Sequence, residues 1–244
     1  MTPGSTPSTA VVAVDGPSGS GKSSVSRGVA RALGLRYLDT GAMYRAMTWA
    51  ALRAGVDLAD VDAIARTAES TRLGWSTDPD ESQISVDGLD VSRAIREEAV
   101  TSTVSVVAAE PRTRAILVAQ QRGAVRDALA AGQGIVVEGR DIGSVVLPDA
   151  DLKVWLVADP EVRAARRAAE ELASGRIDPV HHEAAPDVVR TVAADLERRD
   201  ALDAGRTASP TTQAPDAVVV DASELGLAEV IDAVVVLVLA RTSS

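Results

Sequence analysis

The sequence predicts an α/β fold in which a parallel β-sheet is covered by helices on both faces. Short runs of continuous apolar residues, the pattern of strands buried on both faces, recur along the chain. The runs are 10–14, 134–138, 152–158 and 217–222. Helical stretches such as 160–173 and 187–204 lie between or beside them. Strands that alternate with helices are typical of parallel sheets.

The first strand leads into a phosphate-binding motif. After "AVVAV" at 10–14 comes "GPSGSGKS" at 16–23, which matches G-x-x-x-x-G-K-[ST], and a helical stretch follows over 21–34. The glycines allow backbone N–H groups to turn toward phosphate oxygens, at the positive end of the helix. In this motif Lys22 reaches the outer phosphates and Ser23 is placed to bind Mg²⁺.

Residues 41–110 have a different pattern, which predicts an insertion in the α/β frame. They look helical up to about residue 70, and the stretch 71–91 then alternates between polar and apolar residues. Turn signals stand at Asp-Pro (78–79) and Asp-Gly (87–88). We expect a small antiparallel sheet here.

Composition limits the classes of partner. The 244 residues are 46% hydrophobic and 25% charged, as in globular proteins, and the absence of Phe predicts a core of Ala, Val, Leu and Ile. A net charge of −10 argues against nucleic acid as a partner, and an acidic protein that binds anions must cluster its arginines. The absence of cysteine excludes disulfides and thiolate catalysis.

The two ends of the chain predict neither a signal peptide nor a membrane anchor. Residues 1–9 carry no basic residue and no apolar run, so we expect a loose, disordered tail. The apolar run 234–240 is too short to span a bilayer, and we expect a buried C-terminal helix.

The motifs that define GTPases are missing. The chain has no Asp-x-x-Gly switch and no Asn-Lys-x-Asp guanine-binding motif. Glu138 ends the buried strand 134–138, where an acid can support a magnesium ion from its second coordination shell. The alternative is an ordinary strand-end acid in solvent.

Polar and basic residues cluster where strands end and helices begin. Thr40 and Arg45 lie in "DTGAMYR", and Arg114 lies near a helix start in "PRTR". Arg140 and Asp141 directly follow a buried strand, at the end where open α/β sheets bind ligands. The alternatives are that Thr40 only caps a helix and that Arg140 and Asp141 form a loop ion pair.

A second group of arginines lies on two predicted helices. Arg199, Asp203 and Arg206 share one helix face, and the alternative is a surface salt-bridge ladder.

On the other helix, Arg163, Arg166 and Arg167 share a face, and the alternative is simple pairing with Glu170 and Glu171. Together the arginines indicate a second anion opposite the phosphate loop, which suggests phosphoryl transfer between nucleotides.

Four motifs resemble those of bacterial cytidylate kinases. They are "VDGPSGSGKSS", "YLDTGAMYR", "EGRDIGSVVLPDA" and "RDALDAGR", in the same order and at similar spacing. The likeness covers about 10–240. It implies the P-loop NTPase-type parallel sheet of an adenylate-kinase-like CORE, an inserted nucleoside-monophosphate-binding subdomain and a helical LID. The implied bounds are 10–40 and 111–244 for the CORE, 41–110 for the insertion and about 163–187 for the LID.

The resemblance also implies substrates and residue roles. The donor is ATP with Mg²⁺, the acceptor is CMP or dCMP, and the enzyme is a cytoplasmic monomer with no membrane partner. The residues implied to bind ATP are Gly16, Pro17, Ser18, Gly19, Ser20, Gly21, Lys22, Ser23, Ser24 and Arg163, with Ser23 on the metal and Glu138 behind it. The residues implied to bind the acceptor are Thr40, Tyr44, Arg45, Ser105, Arg114, Arg140, Asp141, Arg199, Asp203 and Arg206. The residues implied to be catalytic are Lys22, Arg140, Arg166, Arg167 and Arg206.

Within the acceptor set, Thr40, Arg114 and Asp141 are implied to face the base. A carboxylate accepts a hydrogen bond from the 4-amino group of cytosine but repels the carbonyl that uracil has there, a difference of about 1–3 kcal/mol. Two other readings stay open: a P-loop kinase acting on UMP or AMP, and a nucleotide-binding module without turnover.

Overall fold

A computed structural model describes residues 9–81, 83–173, 185–205 and 211–242. Of the tail expected at 1–9, only Thr9 is among them, and most of the expected loop 174–187 lies outside them.

In the described part of the chain, eight strands form two sheets. They are β1 (Val11–Asp15), β2 (Arg36–Asp39), β3 (Leu73–Trp75), β4 (Ile84–Val86), β5 (Leu89–Asp90), β6 (Ile135–Glu138), β7 (Leu152–Val157) and β8 (Val218–Asp221). The α-helices are α1 (Lys22–Leu33), α2 (Thr40–Arg53), α3 (Val61–Ser70), α4 (Glu98–Ala109), α5 (Pro111–Ala130), α6 (Pro160–Ala173), α7 (Ala185–Ala204) and α8 (Leu227–Thr242). A short 3₁₀ helix (Ala94–Arg96) precedes α4, and a single π-helical turn (Ile142–Val146) precedes β7.

The main sheet is parallel, in the order β2-β6-β1-β7-β8. This confirms the predicted α/β class and the four strands expected from apolar runs. The fifth strand, β2, was not predicted, because "RYLD" is short and polar at both ends. After β1 the chain forms β2 on one side of β1, whereas β7 and β8 lie on the other side. This change of direction opens a crevice beside the carboxyl end of β1.

The two faces of the sheet pack into separate cores. Ala13 faces a core that includes Leu38, Met43 and Leu117, on the side covered by α2, α4 and α5. Val12 and Val14 point to the opposite core, which α1 and α8 cover. Alternation along β1 therefore fills both cores with small aliphatic side chains, as the composition predicts.

Two expectations about burial at the C-terminus are wrong in part. β8 is an edge strand, not a fully buried one, and Val219 is 51% exposed. The C-terminal helix exists, but it buries only one stripe, including Val234 and Val238, and leaves Val236 63% exposed. A run of apolar residues does not distinguish a helix buried all round from one buried along a stripe. No helix in the described ranges is long and apolar enough to cross a membrane.

The second sheet is small and antiparallel, in the order β3-β4-β5. It follows α2 and α3, as predicted for the 41–110 region. Its β4–β5 turn uses positive φ at Asp87 (50°) and Gly88 (83°), in agreement with the Asp-Gly turn signal. The domain boundaries themselves stay a prediction.

The start of β6 gives a stability prediction at Gly134. A Cβ on Gly134 would lie 2.3 Å from the Ala10 carbonyl oxygen, which accepts a hydrogen bond from Ile135 N at 2.8 Å. The Ala10 backbone could move away from the added Cβ only if the pairing of β1 with β6 opened. We therefore expect Gly134→Ala to lower the free energy of unfolding by about 2–3 kcal/mol. Denaturant titration measures this.

Gly123→Ala is the matched control. Gly123 lies within α5, where the nearest atom to an added Cβ is the Arg126 side chain at 3.7 Å. We expect this variant to be neutral or up to about 1 kcal/mol more stable. Equal effects of the two substitutions would contradict the packing argument.

Candidate active site

The phosphate-binding motif has the predicted strand–loop–helix structure. β1 ends at Asp15, and α1 begins at Lys22. Gly21 precedes α1 with φ of 92°, a left-handed conformation that favours glycine. No side chain caps α1 and its first turn holds no acidic residue, so the first N–H groups of the helix remain available to an anion.

One cleft brings most of the predicted site residues together. It lies at the carboxyl end of β1 and β6, between the phosphate loop and α2, α4 and α5. The predicted residues that line it are Ser18, Gly19, Gly21, Lys22, Ser23, Ser24, Thr40, Tyr44, Arg45, Ser105, Arg114, Glu138, Arg140, Asp141 and Arg167. Gly16, Pro17 and Ser20 belong to the same loop but do not line the cleft.

Lys22 lines the cleft. Its Nζ donates to the Pro17 carbonyl at 2.6 Å and approaches Ser20 Oγ at 3.5 Å. Burial and the positive charge of Arg140 lower the pKa of Lys22 to about 7. Phosphate oxygens beside this amine would favour its protonated form.

Glu138 is buried at the end of β6 and connects to the phosphate loop. Tyr37 on β2 donates its hydroxyl proton to the Glu138 carboxylate, and Ser23 of the phosphate loop lines the same cleft. Burial raises the pKa of Glu138, and the negative charge of Asp39 adds to the effect. At 4% exposure Glu138 is not a solvated strand-end acid.

Thr40 does not cap α2, so that alternative is wrong. The cap is Asp39, which accepts a hydrogen bond from Ala42 N at 2.8 Å. The Thr40 hydroxyl instead donates to the Glu138 carbonyl at 2.7 Å. Its proton is therefore in use, and its oxygen is left as an acceptor toward the cleft.

A buried ion pair joins Arg114 on α5 to Asp141, which directly precedes the π turn. Both residues are 4% exposed. Arg114 also donates to the Ala108 carbonyl at 3.3 Å, and its guanidinium lies 5.4 Å from the Tyr44 ring centroid. A charged pair withdrawn from water is costly to keep, which suggests a role beyond stability.

Arg45 and Arg140 enter the cleft from different elements. Arg45 on α2 pairs with Asp39 at 3.1 Å, and its buried Nε has no hydrogen-bond partner among the described residues. Arg140 follows β6, donates to the Gly16 carbonyl at 3.1 Å and is hydrogen-bonded to Ser18 Oγ. Both guanidinium groups line the same cleft as the phosphate loop, and that of Arg140 contacts the loop directly, as an anion site requires.

The three arginines of α6 make different contacts. Arg167 lines the cleft and pairs with Glu170 at 3.3 Å. Arg163 donates to the Ser18 carbonyl at 2.9 Å. Arg166 instead donates to the Ala222 carbonyl at 2.7 Å, and it does not line the cleft. The alternative of simple pairing with Glu170 therefore holds for Arg167 alone among the three. The side chain of Glu171 lies outside the described part of the chain.

Asp200 on α7 is a site residue that sequence reasoning missed. It accepts a hydrogen bond from Ser18 N at 2.9 Å and pairs with Arg140 at 3.3 Å and Arg163 at 2.5 Å. The Asp200 carboxylate thus accepts from one backbone N–H and two guanidinium groups, which are the kinds of donor that also bind phosphate. These contacts connect α6 and α7 to the phosphate loop. The signal was present in the "RD" of "RDALDAGR", but the spacing argument used only Arg199, Asp203 and Arg206.

Those three residues cannot be placed in the site. The side chains of Arg199 and Asp203 and the whole of Arg206 lie outside the described part of the chain. Their predicted roles stay predictions.

Comparison with known proteins agrees with this geometry. The family profile described as "Cytidylate kinase" matches residues 12–240. A cytidylate kinase of Rhodococcus opacus is 54% identical, over 96% of this chain and 97% of its own. Those of Rhodococcus jostii (50%, over 96% of each chain) and Nocardia farcinica (53%, over 91% and 90%) are similarly close.

Solved structures overlap less closely. A shikimate kinase from Acinetobacter baumannii covers 96% of each chain at 14% identity with a TM-score of 0.39, which adds nothing to the assignment. The family profile and the full-length relatives are sufficient: the chain belongs to the cytidylate kinase family.

Proposed function

We propose that this chain transfers a phosphoryl group from ATP to CMP, and also to dCMP, forming CDP or dCDP. The observation that carries the proposal is the buried Arg114–Asp141 pair in the same cleft as Lys22. One end of the cleft offers positive charge to phosphates, and the other offers a carboxylate and a guanidinium to a polar ring. Relatives named cytidylate kinase support the choice of cytosine.

The base contacts follow from hydrogen-bond chemistry. Asp141 accepts from the 4-amino group of cytosine, and Arg114 donates to the ring acceptors N3 and O2. Thr40 favours the same base, because a hydroxyl whose proton is already donated to Glu138 can only accept. Uracil would place a carbonyl against these acceptors, at a cost of about 1–3 kcal/mol.

The rest of the acceptor is assigned by position in the cleft and by the family motifs. Arg45, Arg140 and Arg206 hold the monophosphate. Ser105, Arg199 and Asp203 contact the sugar, and Tyr44 packs at the Arg114 end of the cleft.

ATP phosphates bind the loop Gly16–Ser24, which includes Lys22, and Arg163 and Arg167 of α6 add positive charge. Phosphoryl transfer needs alignment and positive charge more than a proton acceptor, which is what these residues offer. Closure of the LID expected at about 163–187 would exclude water as a competing acceptor.

The residues present also fit a magnesium ion. The Ser23 hydroxyl and the Glu138 carboxylate both line the cleft beside the phosphate loop, and they are oxygen donors of the type Mg²⁺ prefers. Ser23 would bind the ion directly, and Glu138 would orient Ser23 from behind. When bound, the ion neutralises charge on the phosphates.

A panel of acceptors tests the proposal. The purified chain is mixed with ATP, Mg²⁺ and one of CMP, dCMP, UMP or AMP, and diphosphate formation is measured. We expect CMP and dCMP to be the best substrates. Preference for UMP or AMP would favour a related kinase, and no turnover with any acceptor would favour a nucleotide-binding module.

Two further assignments belong to the same proposal. We place the reaction in the cytoplasm, as a step of pyrimidine nucleotide metabolism, because its substrates are free nucleotides. A monomer is expected, and sedimentation of the purified chain checks it.

A further inference from the structure

Asp15, the last residue of β1, has a buried carboxylate with no role in phosphoryl transfer as described above. It is 4% exposed. Its Oδ1 accepts a hydrogen bond from Ile142 N at 2.8 Å, and its Oδ2 accepts one from Gly143 N at 2.7 Å. Both donors lie at the start of the π turn, immediately after Asp141.

The π turn needs such an acceptor because its own first residue does not provide one. Asp141 stands at the N-cap position of the turn, where an aspartate normally accepts from the free N–H groups. The Asp141 side chain makes no capping hydrogen bond and pairs instead with Arg114. Asp15 therefore does the capping from a neighbouring strand and leaves the Asp141 carboxylate available to the cleft.

The backbone around Asp141 is held on both sides by this arrangement. The Asp141 carbonyl accepts hydrogen bonds from Val145 N at 2.9 Å and Val146 N at 3.1 Å, within the turn. The two N–H groups that follow Asp141 are held by Asp15. The position of the Asp141 side chain thus depends on the central strand β1.

We propose that Asp15 is a positioning residue for base selection: it caps the turn 142–146 and so fixes the carboxylate of Asp141 against the acceptor base. The inference rests on the proposed function, because it acts through the proposed role of Asp141. Burial raises the pKa of Asp15 to about 6, and nearby Asp141 adds to the effect, so the chain keeps a carboxylate where its charge is disfavoured.

The test is the ratio of kcat/KM for CMP to kcat/KM for UMP in Asp15→Asn. Asparagine keeps the shape and one acceptor, but its NH₂ group faces a backbone N–H. We expect the ratio to fall about tenfold, with KM for ATP within about twofold of the unmodified enzyme. If Asp15→Asn does not fold, Asp15→Ser, which keeps one acceptor, is measured in the same way.

Two comparisons separate positioning from mere support of the fold. In the Asp141→Asn background, Asp15→Asn should add almost nothing to the loss of discrimination, because the carboxylate it positions is gone. Asp60→Asn is the control: Asp60 caps α3 through Ala63 N at 2.9 Å and does not line the cleft, so the ratio should not change. Additive losses, or equal losses with both acceptors together with a raised KM for ATP, would overturn the proposal.

The roles of Asp141 and Asp15 can fail separately. If Asp141→Asn alone leaves the ratio intact, Asp141 does not read the base, and the role of Asp15 falls with it. If Asp141→Asn collapses the ratio and Asp15→Asn does not, only the role of Asp15 is wrong.

Discussion

Lys22→Met is expected to lower kcat by about a thousandfold or more, the loss typical when a preorganised positive donor is removed from a transition state. The Lys22 ammonium is held within the phosphate loop by the Pro17 carbonyl. Methionine keeps most of the length and apolar surface of the side chain but removes the positive charge and the hydrogen-bond donors of the amine. Steady-state kinetics with ATP and CMP measure the loss.

The chain provides its own control in Lys153. Lys153 is buried, at 8% exposure, but its Nζ pairs with Asp216 at 2.8–2.9 Å, outside the cleft. Methionine keeps the methylenes that pack beside Gly143. We expect Lys153→Met to retain kcat and to lose at most about 1 kcal/mol of stability, since its partner is exposed. Similar losses of kcat in both variants would mean that Lys22 has no specific role in the reaction.

Asp141→Asn is expected to change which acceptor the enzyme prefers. The Asn carbonyl still accepts from the cytosine amino group, while its NH₂ group can turn to donate to the uracil carbonyl. The ratio of kcat/KM for CMP to that for UMP should fall roughly a hundredfold, as a repulsive contact becomes a favourable one.

Stability should fall at the same time. Without the Asp141 charge, the Arg114 guanidinium is buried with reduced compensation, which typically costs about 3–5 kcal/mol when a partner is lost entirely. Asp62→Asn is the matched control, because Asp62 forms an exposed ion pair with Arg112 away from the cleft. It should alter neither Tm nor the ratio. An unchanged ratio in Asp141→Asn would mean that another residue reads the base.

The sequence was most informative where a local pattern determines structure. The glycine loop and its helix follow from the motif, and four of the five strands of the main sheet follow from apolar runs. The strand β2 was missed because its position depends on pairing with β6, residue by residue from Arg36 with Ile135 to Asp39 with Glu138. No local signal in "RYLD" encodes that partner.

For the site, residue types were predictable but side-chain directions were not. Arg114 and Asp141 are 27 positions apart, and only the packing of α5 against the end of β6 makes them a buried pair. The same holds for Asp200, whose contact with Ser18 spans 182 positions. Asp15 stood beside the phosphate loop in the sequence, but its capping of a turn near residue 142 depends on the sheet order.

The most direct test of the account uses one molecule that carries both nucleotides. Cytidine and adenosine joined 5′ to 5′ by a chain of five phosphates fits a cleft where the two substrates meet, and linkage makes the second contact intramolecular. Calorimetry should show one molecule bound per chain, at least about a hundredfold tighter than ATP or CMP alone. It should displace both nucleotides, and Lys22→Met should weaken it. Binding no tighter than ATP, with CMP still able to bind beside it, would contradict the claim that donor and acceptor phosphates share this arginine-lined cleft.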